Sequence, residues 1–356
     1  MKDPETTAVR QGEELNVEAL ARFLQGKIDG AESGVSIEQF PDGHSNLTYL
    51  LRAGECEYVL RRGPLGPVAP KAHDMAREFR VIQAVHPHFP EAPRTYLLCE
   101  DPSVIGVVFF LMERRHGMVL RDRVPPEIMA VPEHPRLASE AAVDAMVRLH
   151  AIDIADTGLG QLGKPEGFLE RQVQGWGERW NRAKTEEMPE MDRVMRWLTE
   201  RRPSSPPPTV VHNDYKLDNV MLQVEAGRGA VRVEAVLDWE MATIGDPLAD
   251  LGTTLAYWVQ SNDPQELQNL RWCPSTYAGS MTRRELAERY SARTGRDLSA
   301  MSFYLVLARF KIAVIVQQIY YRYHHGLTKD VRFAQMAEAV KTLLRASLYA
   351  SQTPAI

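Results

Sequence analysis

Three oxygen-bearing side chains stand in a fixed order in the middle of the chain. They are Asp214, Asn219 five positions on, and Asp238 at the end of a second segment. A carboxylate beside a hydroxyl can orient it and take its proton, while an Asn and an Asp supply the hard oxygen ligands that Mg²⁺ prefers. Together these are the needs of phosphoryl transfer from Mg-ATP. Lys216, two residues after Asp214, adds a cation able to stabilise negative charge on a transferred group. One Asp after a strand can equally cap a turn; agreement among separated segments carries the reading. Each group sits just past a short apolar, β-branched run, Thr209-Val210-Val211 and residues 231–237, which reads as a buried strand.

The order His212-x-Asp214-x-x-x-x-Asn219, then a strand ending in Asp238, is that of protein-kinase catalytic and metal-binding loops. With Val236-Leu237-Asp238-Trp239-Glu240 and residues 244–252, it resembles the aminoglycoside phosphotransferase branch of the kinase-like superfamily. The resemblance is closest to kinase domains fused to, or encoded beside, acyl-CoA dehydrogenases, and it extends from about Phe40 to about Tyr323. It implies an α+β, bilobal protein-kinase-like fold, with a small antiparallel-sheet lobe over residues 1–112. A larger, mainly helical catalytic and substrate-binding lobe would cover residues 113–356.

The resemblance also implies roles. Gly43 and Ser45, in a turn spelled Pro41-Asp42-Gly43-His44-Ser45-Asn46, would lie over the ATP phosphates; Asp42 replaces one of the family's glycines there. Arg61 stands where the third strand carries a phosphate cation, with Glu78 on the following helix as its partner. Arg62 is the competitor, but alternation turns it to the opposite strand face. Backbone groups of Glu113 and Arg115 would meet the adenine edge. Leu60, Val108, Phe110 and Met112 are candidates for the adenine slot or for plain core. Lys216 matches a lysine that meets the γ-phosphate. Asn213 replaces a common glycine or arginine, and His212 and the buried Asp250 hold the loop.

Composition sets the bounds. At 356 residues two lobes with ample cores are affordable, and 44% hydrophobic with 25% charged residues is ordinary for a globular protein. A net charge of −5 leaves no basic footprint for nucleic acid. Cys56, Cys99 and Cys273 have no metal-ligand spacing, and with a polar N-terminus lacking an apolar run they point to a reduced, cytoplasmic protein. Residues 302–323 are apolar but contain Arg309 and Lys311, so a buried helix is expected rather than a membrane partner.

Helical spacing marks residues 16–25, 76–85, 137–150, 168–180, 192–201, 286–294, 303–323 and 331–349. Strands are expected at 37–40, 47–52, 57–62, 96–99 and 104–112, and proline-studded 124–135 reads as a loop. Trp258, Trp272 and Tyr277 fall in the following helical and loop region. His150 reads as a helix-terminal histidine.

These readings converge on an enzyme using ATP and Mg²⁺ to phosphorylate a small-molecule hydroxyl. The substrate-side segments carry Arg171, Arg179, Arg182, Arg309 and Lys311, which leans toward an anionic acceptor. The resemblance implies a hydroxy acid or hydroxyacyl-CoA and a functional link to an acyl-CoA dehydrogenase. An aminoglycoside or amino-alcohol kinase and a catalytically silent binding module are the rivals. A protein kinase is disfavoured because neither Asp-Phe-Gly nor Ala-Pro-Glu follows Asp238.

Overall fold

The computed structural model describes residues 5–41, 46–64, 74–121, 124–225, 229–270, 275–328 and 330–353. Gly43, Ser45, Trp272 and Cys273 lie outside them. The chain divides into two compact units, Met1–His116 with Ala235–Ala242, and Gly117–Glu234 with Thr243–Ile356. The first unit thus runs on to His116, past the expected end at Met112, and takes in the segment that holds Asp238.

In the first unit, α1 (Val17–Leu24) starts at Asn16, whose side chain accepts the Ala19 N–H at 3.0 Å. There follow β1 (Val35–Gln39), β2 (Leu47–Ala53) and β3 (Cys56–Arg62), then α2 (Met75–Val85), β4 (Thr95–Cys99) and β5 (Phe109–Glu113). The strands form one antiparallel sheet in the order β1-β2-β3-β5-β4. Its two faces follow from the period of two. Tyr49, Leu51, Tyr58, Leu60, Phe109 and Leu111 pack into one core with Leu20 and Leu24 of α1. Burying each of those two leucines contributes about 1.5–3 kcal/mol. Phe110 faces the other way, edge-on to Phe79 of α2 with centroids 6.0 Å apart. The strand expected over 104–112 pairs only from Phe109 on, because Gly106 adopts φ 90° and breaks the extended run.

The second unit opens with β6 (Met118–Val119), α3 (Pro126–Met129) and α4 (His134–His150). Residues 126–129 and 134–135 are therefore helical, not loop: Pro126 and Pro135 stand in the first turns of their helices, where the missing N–H costs nothing. Next come α5 (Phe168–Ala183), α6 (Pro189–Glu200), β7 (Thr209–Val211), β8 (Val220–Val224), β9 (Val231–Val236) and β10 (Thr243–Gly245). The unit closes with α7 (Pro247–Tyr257), α8 (Gln265–Gln268), α9 (Arg283–Thr294), α10 (Met301–His324) and α11 (Met336–Gln352); residues 331–335, expected in the last helix, form a 3₁₀ turn before it. α10 packs against α11, α7, α5 and α6 and is the axis of this unit. Its approach to α7 needs a glycine, since a Cβ on Gly252 would come within 2.7 Å of the Tyr304 carbonyl oxygen. α10 has the length and apolarity of a membrane span, but most of it is buried among these neighbours. β7 and β10 pair antiparallel, Val211 opposite Thr243, and a three-stranded sheet runs β6-β8-β9.

Candidate active site

In the first unit the expected cation pair is present. Arg61 Nε lies 2.9 Å from Glu78 Oε1, and its guanidinium also bonds the Asp238 carboxylate. Arg62, on the opposite strand face, is fully buried and donates to Tyr49 Oη at 2.8 Å and to the Glu13 carbonyl at 2.9 Å. Burial pushes the Glu78 carboxyl up to about 7; Arg61 pulls it down, and Asp238 and Glu240 push it further up. Asp238 itself sits at φ 66°, a left-handed backbone that few non-glycine residues adopt.

The turn after Asp238 is fixed by groups that sequence reasoning missed. Arg77 of α2 donates to the carbonyls of Glu240, at 2.9 Å, and Ala242, at 2.5 Å. Asn46 donates to Glu240 at 2.8 Å. The only cue in the sequence was the acid two places beyond Asp238. The Glu113 N–H is taken by the Arg94 carbonyl at 2.7 Å, so it is not available to an adenine edge. The Arg115 side chain pairs with Glu113 at 2.9 Å and donates to the Pro90 carbonyl at 2.9 Å. Leu60 and Phe110, candidates for an adenine slot, are core residues on opposite sheet faces.

In the second unit the fully buried strand β7 delivers His212 to Asn219, which β8 then carries away. Asn219 Nδ2 donates to the Asp214 carbonyl at 2.9 Å and to Asp214 Oδ2 at 3.0 Å. With its nitrogen so committed, Asn219 has its amide oxygen left to offer a hard cation. Lys216 Nζ stands 3.3 Å from Asp214 Oδ2 and 3.4 Å from Asp218 Oδ2. Burial pushes the Asp218 carboxyl up to about 6, with Lys216 opposing. Tyr257, at the end of α7, is buried beside this group, its ring 5.0 Å from Lys216 Nζ.

The loop backbone is held from beneath. Asp250 of α7 accepts the N–H groups of His212 at 2.6 Å and Asn213 at 2.5 Å. His150 lies 3.2 Å from the same carboxylate and 2.8 Å from Tyr290 Oη, so it belongs to the buried support rather than simply ending α4. Burial opposes the Asp250 charge, yet His150 and His212 hold its pKa below the ordinary carboxylate value. Tyr215 donates to the Ala142 carbonyl at 2.7 Å, and its own carbonyl accepts from Thr254 at 2.8 Å.

The cations expected to face an acceptor are mostly engaged elsewhere. Arg309 is buried and donates to the Ala346 carbonyl at 2.8 Å; Arg171 holds the carbonyls of Lys164 and Glu166; Arg182 donates to that of Glu178 at 3.2 Å. Lys311 is buried against the Asn213 carbonyl. Arg179 is exposed and lies over the Trp176 ring, 4.4 Å from its centroid.

The sequence pattern of the phosphotransferase enzyme family matches residues 36–301. The chain belongs to that family and has its kinase-like fold, which makes it a phosphotransferase by class. Acyl-CoA dehydrogenase family member 10 of Mus musculus is 33% identical over 344 residues, covering 96% of this chain but 31% of that protein, so the chain spans about a third of this relative. A putative aminoglycoside phosphotransferase from Ralstonia eutropha superposes with a TM-score of 0.77 at 29% identity, covering 95% of this chain and 99% of the other. A ternary complex of aminoglycoside phosphotransferase APH(4)-Ia with AMP-PNP and hygromycin B has a TM-score of 0.60 at 18% identity, covering 93% and 98%.

Proposed function

We propose that this chain transfers the γ-phosphate of ATP to the hydroxyl of a small molecule that carries an acid group, a hydroxy acid or its coenzyme A thioester. The observation that carries the reading is the Asp214 carboxylate, gripped by Asn219 and Lys216 on a loop whose N–H groups are tied to Asp250. Asp214 accepts a hydrogen bond from the acceptor hydroxyl, points its oxygen at the phosphorus, and takes the proton as the bond forms. Lys216 leaves its carboxylate neighbours for the charge gathering on the transferred group. Arg61, braced by Glu78, binds the phosphates of the nucleotide, and its planar fork can grip two oxygens. Asn219 through its amide oxygen and Asp238 through its carboxylate are oxygen donors of the kind Mg²⁺ takes, and the ion, when bound, neutralises phosphate charge.

The AMP-PNP complex of the structural relative supports ATP as donor. Two observations support the acceptor: the relative named as an acyl-CoA dehydrogenase, which also favours such an enzyme as functional partner, and the exposed Arg179 cation held on Trp176. The test offers one enzyme sample Mg-ATP with a hydroxyacyl-CoA, its free acid and an aminoglycoside, and follows phosphate by mass. Transfer to the acid or thioester, lowered about a hundredfold or more by Asp214→Asn, is the expected result. Transfer to the aminoglycoside alone overturns the acceptor; nucleotide binding with no transfer to any of them overturns the enzyme reading.

A further inference from the structure

Asn213 immediately precedes Asp214 and has φ 64°, one of two non-glycine residues with left-handed backbone among those described. An L-residue in that region is strained, and its surroundings must offset the strain to hold it there. Both peptide groups of Asn213 are held. Its N–H donates to Asp250 Oδ1 at 2.5 Å, and its carbonyl accepts from Lys311 Nζ. Asp250 rides on α7 and Lys311 on α10, so two packed helices close on one residue. Lys311 is 5% exposed, and the ring of Trp176 lies 5.9 Å from its Nζ. Burying an ammonium is costly unless the charge meets a partner. Burial lowers the Lys311 pKa; the charges of Asp214 and Asp250 favour its ammonium, and those of Lys216 and Arg179 oppose it. An apolar side chain of similar length would fill this place without that cost, so the ammonium has a use beyond packing.

We infer that Lys311 is a positioning residue of the catalytic loop: by clamping the Asn213 carbonyl it fixes the left-handed peptide that aims Asp214. This rests on Asp214 being the group that meets the acceptor. The clamp is needed because residue 213 carries a side chain, and glycine enters the same backbone region freely. The demand for Lys311 is therefore conditional on what stands at 213, which a plain core lysine would not share.

The experiment compares the full-length parent, Lys311→Met, Asn213→Gly and the double variant. Amide hydrogen exchange is read over residues 210–222, and phosphoryl transfer is measured with whichever acceptor the parent uses. Lys311→Met is expected to speed exchange around Asp214. Its turnover should fall about ten- to a hundredfold, the scale of a small misplacement of a reacting group, while the Michaelis constant for ATP stays within about twofold. In the Asn213→Gly background the same substitution is expected to cost only a few-fold. Equal losses in both backgrounds, or unchanged exchange in Lys311→Met, overturn the inference. If Lys311→Met does not fold, Lys311→Gln, which keeps an N–H donor, takes its place and should preserve exchange protection; loss of protection there also counts against the clamp. Exchange needs no turnover, so the clamp is tested even if no acceptor is found. Conversely, an Asp214→Asn variant as active as the parent would defeat the functional reading and leave the exchange result standing.

Discussion

Arg61→Ala removes the cation that offsets a buried carboxylate, and the consequence depends on pH. Glu78 is 1% exposed, and with Arg61 present its carboxyl is pushed up to about 7 from the ordinary 4.5. Arg61 works against that push, so without it Glu78 keeps its proton to still higher pH. A group whose folded pKa lies above its unfolded one binds more protons in the folded state, so stability falls as pH rises between the two values. In the parent that fall ends near pH 7. In Arg61→Ala it continues, at about 1.4 kcal/mol per pH unit. The stability gap between the two proteins should therefore widen by about 1 kcal/mol from pH 6 to pH 8. Urea unfolding at both pH values measures the gap, and amide exchange of the α2 peptides assigns it to the first unit. Arg61→Ala in a Glu78→Gln background should show no widening. A gap constant with pH in Arg61→Ala alone would mean that Arg61 is not there to balance Glu78, and the bracing of a phosphate cation would lose its basis.

Asp238→Ala is expected to weaken Mg-ATP binding far more than metal-free ATP binding, because the proposed role of the lost group is oxygen donor to the ion; calorimetry with and without Mg²⁺ checks it, and equal losses would take Asp238 out of the metal shell. In α9, Thr282 and Glu285 form a reciprocal cap. The Thr282 N–H together with Arg136 and the Thr282 hydroxyl draws the Glu285 carboxyl down to about 2. Its contribution is present above pH 4.5 and lost as pH falls toward 2, so Glu285→Gln should flatten the acid limb of the stability profile, read by thermal melting across that range.

What the sequence made legible was local. The spacing from Asp214 to Asn219 brings the two side chains to 3.0 Å because one short loop and a 3₁₀ turn separate them. The alternation rule separates Arg61 from Arg62 without knowledge of the sheet, and the burial of Arg62 against Tyr49 follows it. Contacts between distant segments were not legible. Nothing near Asn213 announces that its carbonyl meets a lysine 98 positions later, or that Arg77 closes the turn at Glu240. Grouping Arg309 with Lys311 ignored helix geometry: two positions on an α-helix are about 200° apart, so they face different neighbours. One reaches Ala346 of α11 and the other the catalytic loop. Apolar character likewise overstated β5, since residues 104–108 are apolar for packing and Gly106 turns the chain.

Two strained backbones show how such a site is specified. Among the described residues, Asn213 and Asp238 alone carry side chains in the left-handed region. One precedes the proposed base and the other is the proposed metal ligand. Local preference would place glycine at both, so each conformation must be imposed from outside its own segment. The imposition is visible in both cases: Asp250 and Lys311 hold the peptide of Asn213, and Arg61 holds the carboxylate of Asp238, with Arg77 on the carbonyls that follow. Asn and Asp are the residue types that enter this region most cheaply, so the strain each holder must balance is small. A holder of that strength can be lost without unfolding the chain, which is why the Lys311 variants should report on loop geometry before they report on stability. Arg61 also offsets the buried Glu78 carboxylate, and its loss is read in stability.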